Sequence, residues 1–406
     1  MLEFLKNKKR VIIFDVGANK IAGISYKLEN GNPIIINMDY QKSKGVSRNN
    51  LLDTSQLSNV IKEVYKKISG GQKEKKEIIF SNITDYRILT NKHFTEITAG
   101  KLGVSKKEIR KVYRKCISES QKKNKKLIHS FPMKFSIDEK HFTSEPLGKK
   151  CKKLGISCMN LMVDDRVHNK LNESFIKNKI LVKSFFDSGV ASAYGCLTES
   201  EKQGGSICID IGASTTKTTA FLNGKIVYHR IISIGGNDVT NDISHGLQIP
   251  EESSELIKII HGTINPTFNE KIEIDLESSK GKIINKNLLY GIIKPRYDEI
   301  FEIIRDNIFD DIYARVGIKS IVLTGGGSKI FGIENLCGSI FNRKVRIGKI
   351  ENNKSFFHNK PEFSTLLGLI RLSKNSESLN DLIDNNQNKF STVFDKLDNW
   401  IEESYA

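Results

Sequence analysis

Two short stretches combine a carboxylate with a turn of small residues, a pattern suited to binding phosphate. The first is Asp15–Lys20, reading DVGANK, and the second is Asp210–Thr216, reading DIGASTT. In each stretch the aspartate ends an apolar run, and small residues turn the chain into the next run. Backbone N–H groups that point into such a turn bind anions, and a neighbouring aspartate can hold a hydrated Mg²⁺ between protein and phosphate. The sequence therefore predicts two phosphate-binding turns.

Each turn contributes a set of predicted ligands. The first turn supplies Asp15, Gly17, Ala18, Asn19 and Lys20. The second turn supplies Asp210, Gly212, Ala213, Ser214, Thr215 and Thr216. Asp15 and Asp210 are the predicted Mg²⁺ ligands, acting through water, and Lys20 is either a cation for a phosphate oxygen or an ordinary surface lysine.

The two turns lie in matching β-meanders. The first meander consists of Val11–Phe14, Ile21–Leu28 and Ile34–Tyr40. In the second, an Ile-rich run from Ile207 leads through the turn into a Thr-rich strand, and Asn223-Gly224 then makes the tight turn before Ile226–Ile232. Two such copies far apart in the chain predict a duplicated, two-lobed α/β protein whose turns face each other across a cleft.

A third glycine-containing turn lies near the end of the second half. Strand Ile321–Leu323 runs into Thr324-Gly325-Gly326-Gly327-Ser328, and a helix is predicted over Lys329–Phe341. Glycines between a strand and a helix allow the backbone to approach a ligand closely. Gly325, Gly326, Gly327 and Ser328 are therefore predicted to contact the adenosine or the α-phosphate of a nucleotide.

The elements around these turns follow from hydrophobic periodicity. The predicted helices are Thr54–Ser69, Ser105–Gln121, Ser188–Leu197, Pro250–His261, Phe363–Leu372 and Ile292–Ile308, the last with Pro295 in its first turn. Short strands are predicted at Leu127–Phe131 and Lys134–Asp138, and strand-like pieces within Thr263–Asn287.

Composition limits the class of protein. The chain has 406 residues and is 38% hydrophobic, and it contains no apolar run of membrane-spanning length. The N-terminus lacks the apolar region of a signal peptide, so a cytosolic protein is expected. The six cysteines form no CxxC pair, and no histidine lies at ligand spacing, so neither a disulfide framework nor a cysteine–histidine metal site is expected.

The net charge of +17 is concentrated in one region, because residues 101–153 hold 17 Lys/Arg against 5 Asp/Glu. Such a region can face nucleic acid, anionic lipid or an acidic partner. No aromatic residues interleave with the lysines, as a nucleic-acid platform requires. We therefore expect a solvated basic face and no nucleic-acid partner.

The C-terminal end combines a polar stretch with an amphipathic segment. Residues 373–389 are rich in Asn, Ser, Asp and Gln and predict a flexible linker. An apolar helical face follows, made of Phe390, Val393, Phe394, Leu397, Trp400 and Ile401. Such a helix either lies in a membrane interface or docks on the protein body or a partner.

The order of these motifs resembles the actin/Hsp70/sugar-kinase superfamily, and within it the FtsA family of bacterial cell division proteins. The resemblance covers nearly the whole chain. It rests on the segments IVLTGGGSKIFGI (321–333), KVRIG (344–348), KPRYDEI (294–300), FSTLLGLI (363–370), GGNDVTNDI (235–243) and IKIIHG (257–262), together with the tethered terminal helix.

The resemblance implies a two-lobed actin-like, ribonuclease-H-like duplicated α/β fold with an inserted subdomain in each lobe. The implied domains are a first lobe of 1–82 and 160–200, an insert of 83–159, a second lobe of 201–235 and 293–372, an insert of 236–292, the linker 373–389 and the membrane-targeting helix 390–406. It also adds Lys258 to the cofactor-binding residues.

The resemblance further implies an ATP- and Mg²⁺-binding protein that polymerises on the cytoplasmic face of the inner membrane at the division septum. Its implied partners are the FtsZ ring, which it tethers through the insert 236–292, other copies of itself, anionic or neutral lipid, and later division proteins. Hydrolysis is expected to be slow or absent, since no residue stands out as a water-positioning base.

The chain departs from the family pattern at the second turn and at the terminal helix. Where the family often has an acid after its Thr pair, this chain has Lys217, which either strengthens phosphate binding or points outward. The terminal helix is acidic, so apolar burial would do most of the anchoring. Two other functions stay open, a small-molecule kinase of the same superfamily and a pilus-assembly actin homologue.

Overall fold

The structure is a computed structural model that describes residues 10–29, 31–46, 53–70, 77–100, 102–266, 270–276, 279–309, 317–349 and 359–377. The chain divides into two compact units. The first unit holds the described residues up to Gly195, Lys225–Val227 and those from Thr365 onward, and the second holds the remainder between Cys196 and Ser364. Each unit is built around its own five-stranded sheet.

The sheet of the first unit begins with the predicted meander. Its strands are β1 (Arg10–Val16), β2 (Lys20–Glu29), β3 (Asn32–Lys42), β4 (Glu77–Ile83) and β9 (Val182–Asp187), in the order β3-β2-β1-β4-β9. β1 runs antiparallel to β2 and parallel to β4, and β4 runs parallel to β9. β1 is buried along its whole length, which explains its continuous apolar run.

Helices cover this sheet with their apolar stripes. They are α1 (Thr54–Ile68) and α3 (Asp165–Ile176), and α4 (Ser188–Cys196) follows β9 in the chain. The Asp53 side chain caps α1 by accepting from the backbone N–H groups of Ser55 and Gln56. Leu57, Ile61 and Val64 of this helix lie in the same apolar core as Ile12 and Phe14 of β1.

A four-stranded sheet with one helix lies between β4 and β9 in the sequence. Its elements are β5 (Leu89–Thr98), α2 (Lys106–Ser120), β6 (Lys125–Ile137), β7 (His141–Thr143) and β8 (Lys153–Asp164), and the strand order is β5-β8-β6-β7. The strands predicted at Leu127–Phe131 and Lys134–Asp138 are strand in the structure but belong to one element, because β6 runs through both with a register shift between Pro132 and Lys134. Lys134 Nζ lies 4.0 Å from the ring centroid of Phe142, so an aromatic ring does lie among these lysines.

The sheet of the second unit repeats the order of the first. After α5 (Glu199–Gly204), its strands are β10 (Ser206–Ile211), β11 (Thr216–Leu222), β12 (Lys225–Ile232), β15 (Ser320–Thr324) and β16 (Lys344–Ile347), in the order β12-β11-β10-β15-β16. β10 is antiparallel to β11 and parallel to β15, and β15 is parallel to β16. The predicted duplication is therefore present in both topology and direction.

The elements between β12 and β15 include α6 (Gly236–Leu247), α7 (Glu251–His261), a hairpin of β13 (Lys271–Leu276) and β14 (Ser279–Asn285), and α8 (Lys286–Phe309). The prediction that Pro295 lies in the first turn of the long helix was wrong, because it lies inside α8. The helix begins earlier because the Asn285 side chain accepts from the N–H of Asn287, and Leu289 and Ile293 supply its buried stripe.

Two predicted helices have different boundaries in the structure. Gly326–Lys329 forms a 3-10 turn, and α9 (Ile333–Phe341) starts only after Gly332, whose φ of 90° breaks the predicted helix. The last described helix is α10 (Ser364–Glu377), which enters the predicted linker. Its buried Ser373 lies 3.0 Å, Oγ to OH, from Tyr26, and this contact explains the extension.

No helix within the described ranges is long and apolar enough to cross a membrane. The remainder of the predicted linker and the whole predicted terminal helix, including Phe390, Val393, Phe394, Leu397, Trp400 and Ile401, lie outside the described residues.

Candidate functional site

The two carboxylate turns have the same backbone geometry, each within its own unit. In the first unit, Asp15 pairs with Ala22 across the hairpin, and Gly17 N–H donates to Lys20 O at 3.0 Å. In the second, Asp210 pairs with Lys217, and Gly212 N–H donates to Thr215 O at 3.0 Å. The register therefore equates Asp15 with Asp210, as predicted from the sequence, and it also equates Ala22 with Lys217.

Lys217 contacts the aspartate of its own turn. Its Nζ lies 3.1 Å from Asp210 Oδ2, and the two side chains are only 10% and 5% exposed. A Cβ built on Gly212 would lie 3.1 Å from the same Nζ, so the ammonium lies over the turn itself. The sequence left open whether Lys217 faces the turn or points outward, and the structure places it inward.

The first residues of α6 and the glycine that precedes them pack on the same turn. Gly236 N–H donates to Gly212 O at 2.8 Å, and Asn237 N–H donates to Ala213 O at 2.7 Å. A Cβ on Gly235 would lie 2.7 Å from both of these carbonyl oxygens, so only glycine fits there without a shift. The start of α6 is thus held against the turn, which the sequence did not indicate.

The hydroxyl-bearing residues of the turn are all buried, namely Ser214, Thr215 and Thr216. Thr216 Oγ1 donates to Ile234 O at 2.8 Å. This hydroxyl therefore fastens the turn to the loop that precedes Gly235, a role distinct from the predicted donation to phosphate.

Lys258 of α7 supports the start of α6 from the side away from the turn. Its Nζ donates to Gly236 O at 2.9 Å, Thr240 Oγ1 at 2.7 Å and Glu255 Oε2 at 2.6 Å. An ammonium has three N–H donors, so these partners use them all. Burial lowers the pKa of Lys258, and the Glu255 carboxylate acts in the opposite direction. In this arrangement Lys258 positions the start of α6.

The predicted glycine turn lies beside Asp210, because β15 runs parallel to β10 and Thr324 pairs with Asp210. Gly325 has φ +84°, and a Cβ there would lie 2.3 Å from Asp210 Oδ1. Tyr297 OH donates to Gly327 O at 2.9 Å, and Ser328 Oγ donates to Gly325 O at 2.8 Å. The second unit therefore brings its predicted site residues together around one turn.

The first unit holds Asp15 differently. Asn82, at the same level of β4, donates from Nδ2 to Asp15 Oδ1 at 2.8 Å and accepts at Oδ1 from Val16 N–H at 2.7 Å. Gly17, Ala18 and Lys20 are partly exposed and Asn19 is exposed. Sequence reasoning missed Asn82, although a polar residue near the end of a buried strand was the available signal.

The residues of the second turn suit a phosphate group better than a bound Mg²⁺. A phosphate would meet partly exposed small residues, buried hydroxyl-bearing residues and an ammonium over the turn. A hydrated Mg²⁺ at Asp210 would instead meet a carboxylate that already binds a lysine ammonium at 3.1 Å. Within the described part of the chain, no three His, Cys, Asp or Glu side chains form a group that could hold a metal ion.

Solved structures with the same architecture establish the fold of the chain. A "PilM-PilN type IV pilus biogenesis complex" chain matches with a TM-score of 0.65 at 15% identity, over 90% of this chain and 98% of that one. MreB5 of Spiroplasma citri bound to ADP matches with a TM-score of 0.51 at 14% identity, over 91% and 98%. The chain therefore has the duplicated actin-like α/β fold.

Family models and curated relatives identify the family within that fold. A model described as "Cell division protein FtsA" matches residues 207–368, and one described as "SHS2 domain inserted in FTSA" matches residues 85–162. Cell division protein FtsA of Buchnera aphidicola subsp. Baizongia pistaciae is 28% identical over 437 residues, covering 100% of both chains. That of Escherichia coli K12 is 25% identical over 394 residues, covering 91% of each. The chain belongs to the FtsA family of cell division proteins.

Proposed function

We propose that this protein is an ATP-binding, filament-forming component of the division machinery that ties the FtsZ ring to the inner face of the membrane. The observation that carries the proposal is the convergence of Asp210, Lys217, Gly235 and Gly325–Ser328 on one turn. Support also comes from membership of the FtsA family and from a fold neighbour, MreB5, solved with AMPPNP and with ADP.

In this proposal the second turn binds the phosphates of ATP. Backbone N–H groups and the Lys217 ammonium neutralise their charge, and Gly325–Ser328 approach the nucleotide from the neighbouring strand. Binding stiffens the two lobes for end-to-end association, and hydrolysis is slow or absent.

Nucleotide binding is tested by titrating the full chain with ATP and measuring heat. Gly235→Ala should weaken binding, because its Cβ would lie 2.7 Å from two carbonyl oxygens of the turn. Gly204→Ala is the matched control, since a Cβ at this glycine of α5 meets nothing within 4 Å. Failure of the unaltered chain to bind ATP would overturn the proposal.

Membrane attachment is proposed for residues 390–406 on the sequence pattern alone. Asp395, Asp398, Glu402 and Glu403 outnumber Lys396, so burial of Phe394 and Trp400 would supply most of the affinity. A single such helix binds weakly, and polymerisation would add avidity.

Vesicle sedimentation tests this attachment. Deleting residues 389–406 or making Trp400→Ser should abolish sedimentation of the full chain, while Asn399→Ser on the polar face should leave it unchanged. Neutral and anionic vesicles should bind to similar extents. Unchanged sedimentation after the deletion would contradict the tether.

Binding to FtsZ is proposed for the insert 236–292. Leu256, Ile259 and Ile260 of α7 are 59%, 68% and 68% exposed, an apolar surface suited to a protein partner. Ile259→Ser should reduce cosedimentation with FtsZ polymers, whereas Glu252→Gln on the exposed first turn of α7 should change it little. The insert 83–159 is proposed for filament contacts and for recruiting later division proteins.

Membership of the FtsA family favours the proposed division function over a small-molecule kinase and over a pilus-assembly actin homologue. A small-molecule kinase would transfer phosphate from ATP to a metabolite, and a pilus-assembly homologue would not require residues 390–406. Turnover of phosphate onto a small molecule by the purified chain would favour the kinase.

A further inference from the structure

We propose that Lys217 takes the place of the divalent metal at the second phosphate turn, so that this protein binds ATP in a manner largely independent of Mg²⁺. The inference rests on the proposed nucleotide site and specifies its chemistry. It starts from the pairing of Lys217 with Asp210 and from the position of the ammonium over Gly212.

The position of the ammonium is fixed by the strand register. Residues that pair directly in an antiparallel hairpin project from the same face of the sheet. Asp210 and Lys217 are such a pair, and their charged atoms meet at 3.1 Å. A Cβ on Gly212 would lie 3.1 Å from Lys217 Nζ, so the ammonium lies above Gly212.

Burial strengthens the electrostatic effect of the Lys217 ammonium. The Lys217 side chain is 10% exposed and that of Asp210 is 5% exposed, so water screens neither charge well. The ammonium donates to Asp210 Oδ2. A phosphate oxygen in the turn would meet a positive charge that the protein carries permanently.

The same pairing disfavours a metal at Asp210. A hydrated Mg²⁺ held through Asp210 would need a carboxylate free to face its waters. Here that carboxylate binds Lys217, and on its other side Gly325 packs so closely that a Cβ would lie 2.3 Å from Oδ1. A cation at Asp210 would therefore have to displace the ammonium and repel it.

The start of α6 closes the third side of the turn. Gly236 and Asn237 donate to Gly212 O and Ala213 O, and Lys258 holds the start of α6 by donating to Gly236 O. Lys258 donates to three protein acceptors, whereas the Lys217 ammonium lies over Gly212 of the turn. The cationic function thus falls on Lys217 of β11, which lies directly opposite Asp210 in the hairpin.

The test is ATP affinity measured by calorimetry in excess MgCl₂ and in excess EDTA, using the full unaltered chain. We expect the two dissociation constants to differ by less than about threefold, below the loss of one charge-assisted hydrogen bond. A dissociation constant at least about tenfold weaker in EDTA would overturn the inference while leaving ATP binding intact. No binding in either buffer would overturn the proposed nucleotide site, and this inference with it.

Variants separate this role from a purely structural one. Lys217→Met should lose at least about tenfold in ATP affinity in EDTA and recover part of it in MgCl₂, because Asp210 becomes available to a metal. Lys217→Arg, which keeps the charge, should stay insensitive to EDTA, and Lys344→Met on the exposed start of β16 is the matched control. Equal losses for Lys217→Met in both buffers would show that the lysine acts only on the fold.

Discussion

The two carboxylate turns share a backbone and differ in what holds the aspartate. Asp15 accepts a hydrogen bond from the Asn82 amide and lies opposite Ala22, whereas Asp210 binds the Lys217 ammonium that lies opposite it. A third difference lies on the neighbouring parallel strand, where Ile83 follows Asn82 but Gly325 follows Thr324. The second turn alone combines a buried ion pair with a glycine that lets the backbone approach the carboxylate.

This difference shows that duplication fixed the hairpin and left its electrostatics free to diverge. The hydrogen bond that closes the turn is 3.0 Å in both copies, from Gly17 N–H to Lys20 O and from Gly212 N–H to Thr215 O. Backbone geometry therefore does not depend on the charge placed above it. The phosphate chemistry of each lobe has to be worked out from its own side chains.

The largest expected effect comes from neutralising each aspartate in turn. Asp210→Asn leaves the buried Lys217 ammonium without its carboxylate, so the free energy of unfolding should fall by about 3–5 kcal/mol. Asp15→Asn keeps an oxygen that can accept from Asn82, so the fall should be about 1 kcal/mol. Urea unfolding combined with hydrogen exchange assigns each loss to β10 or to β1. Equal losses would remove the contrast between the turns.

A double substitution tests whether the ion pair itself is the cause. Asp210→Asn with Lys217→Met removes both charges, and a neutral pair in a buried site is often tolerated. We expect the double variant to be more stable than Asp210→Asn alone, with a coupling energy of about 1–3 kcal/mol from the four-variant cycle. Additive losses would mean that the two side chains contribute independently.

Most of the fold and part of the site followed from local patterns in the sequence. Apolar runs that end in an aspartate and small residues define both hairpins, and such signals lie within about ten neighbouring residues of each other. The Gly325–Ser328 turn was predicted in the same way, because glycines after a buried strand mark a close approach.

The remaining features depend on residues that are distant in the sequence. Asn82 reaches Asp15 from a parallel strand 67 residues away, and Gly236 meets Gly212 only after the meander has closed. The direction of Lys217 depended on strand register, which the composition of the turn does not specify. The start of α8 was predicted too late because proline is usual in the first turn of a helix. The cap at Asn285 instead sets where α8 begins.

The next largest expected loss of stability comes from substituting Gly325, the glycine beside Asp210. Gly325→Ala should lower the free energy of unfolding by about 1–3 kcal/mol from its positive φ alone. Displacement of Asp210 Oδ1, which would lie 2.3 Å from the new Cβ, adds to that loss. Gly326→Ala is the neighbouring control, since a Cβ there meets nothing within 4 Å, and it should stay within about 0.5 kcal/mol. Similar urea midpoints for the two variants would contradict the close packing at Asp210.

The smallest expected effect distinguishes the contribution of the Lys217 ammonium from that of the turn backbone, through a comparison of Gly17→Ala with Gly212→Ala. Gly17→Ala brings a Cβ to 3.1 Å from Lys20 O, and Gly212→Ala brings one to 3.0 Å from Thr215 O, so the strain from the backbone is matched. Only Gly212→Ala also meets Lys217 Nζ, at 3.1 Å, at the end of a flexible side chain. The two losses in stability should therefore agree within about 1 kcal/mol.

The difference should appear in ligand binding instead. Because Gly212→Ala pushes the ammonium away from the turn, ATP affinity in EDTA should fall several-fold, while MgCl₂ should restore little since Asp210 keeps its lysine. Gly17→Ala should not change the dependence of ATP affinity on Mg²⁺. If both alanine variants bind ATP equally in EDTA, the position of Lys217 over Gly212 has no part in phosphate binding, and the two turns differ in stability alone.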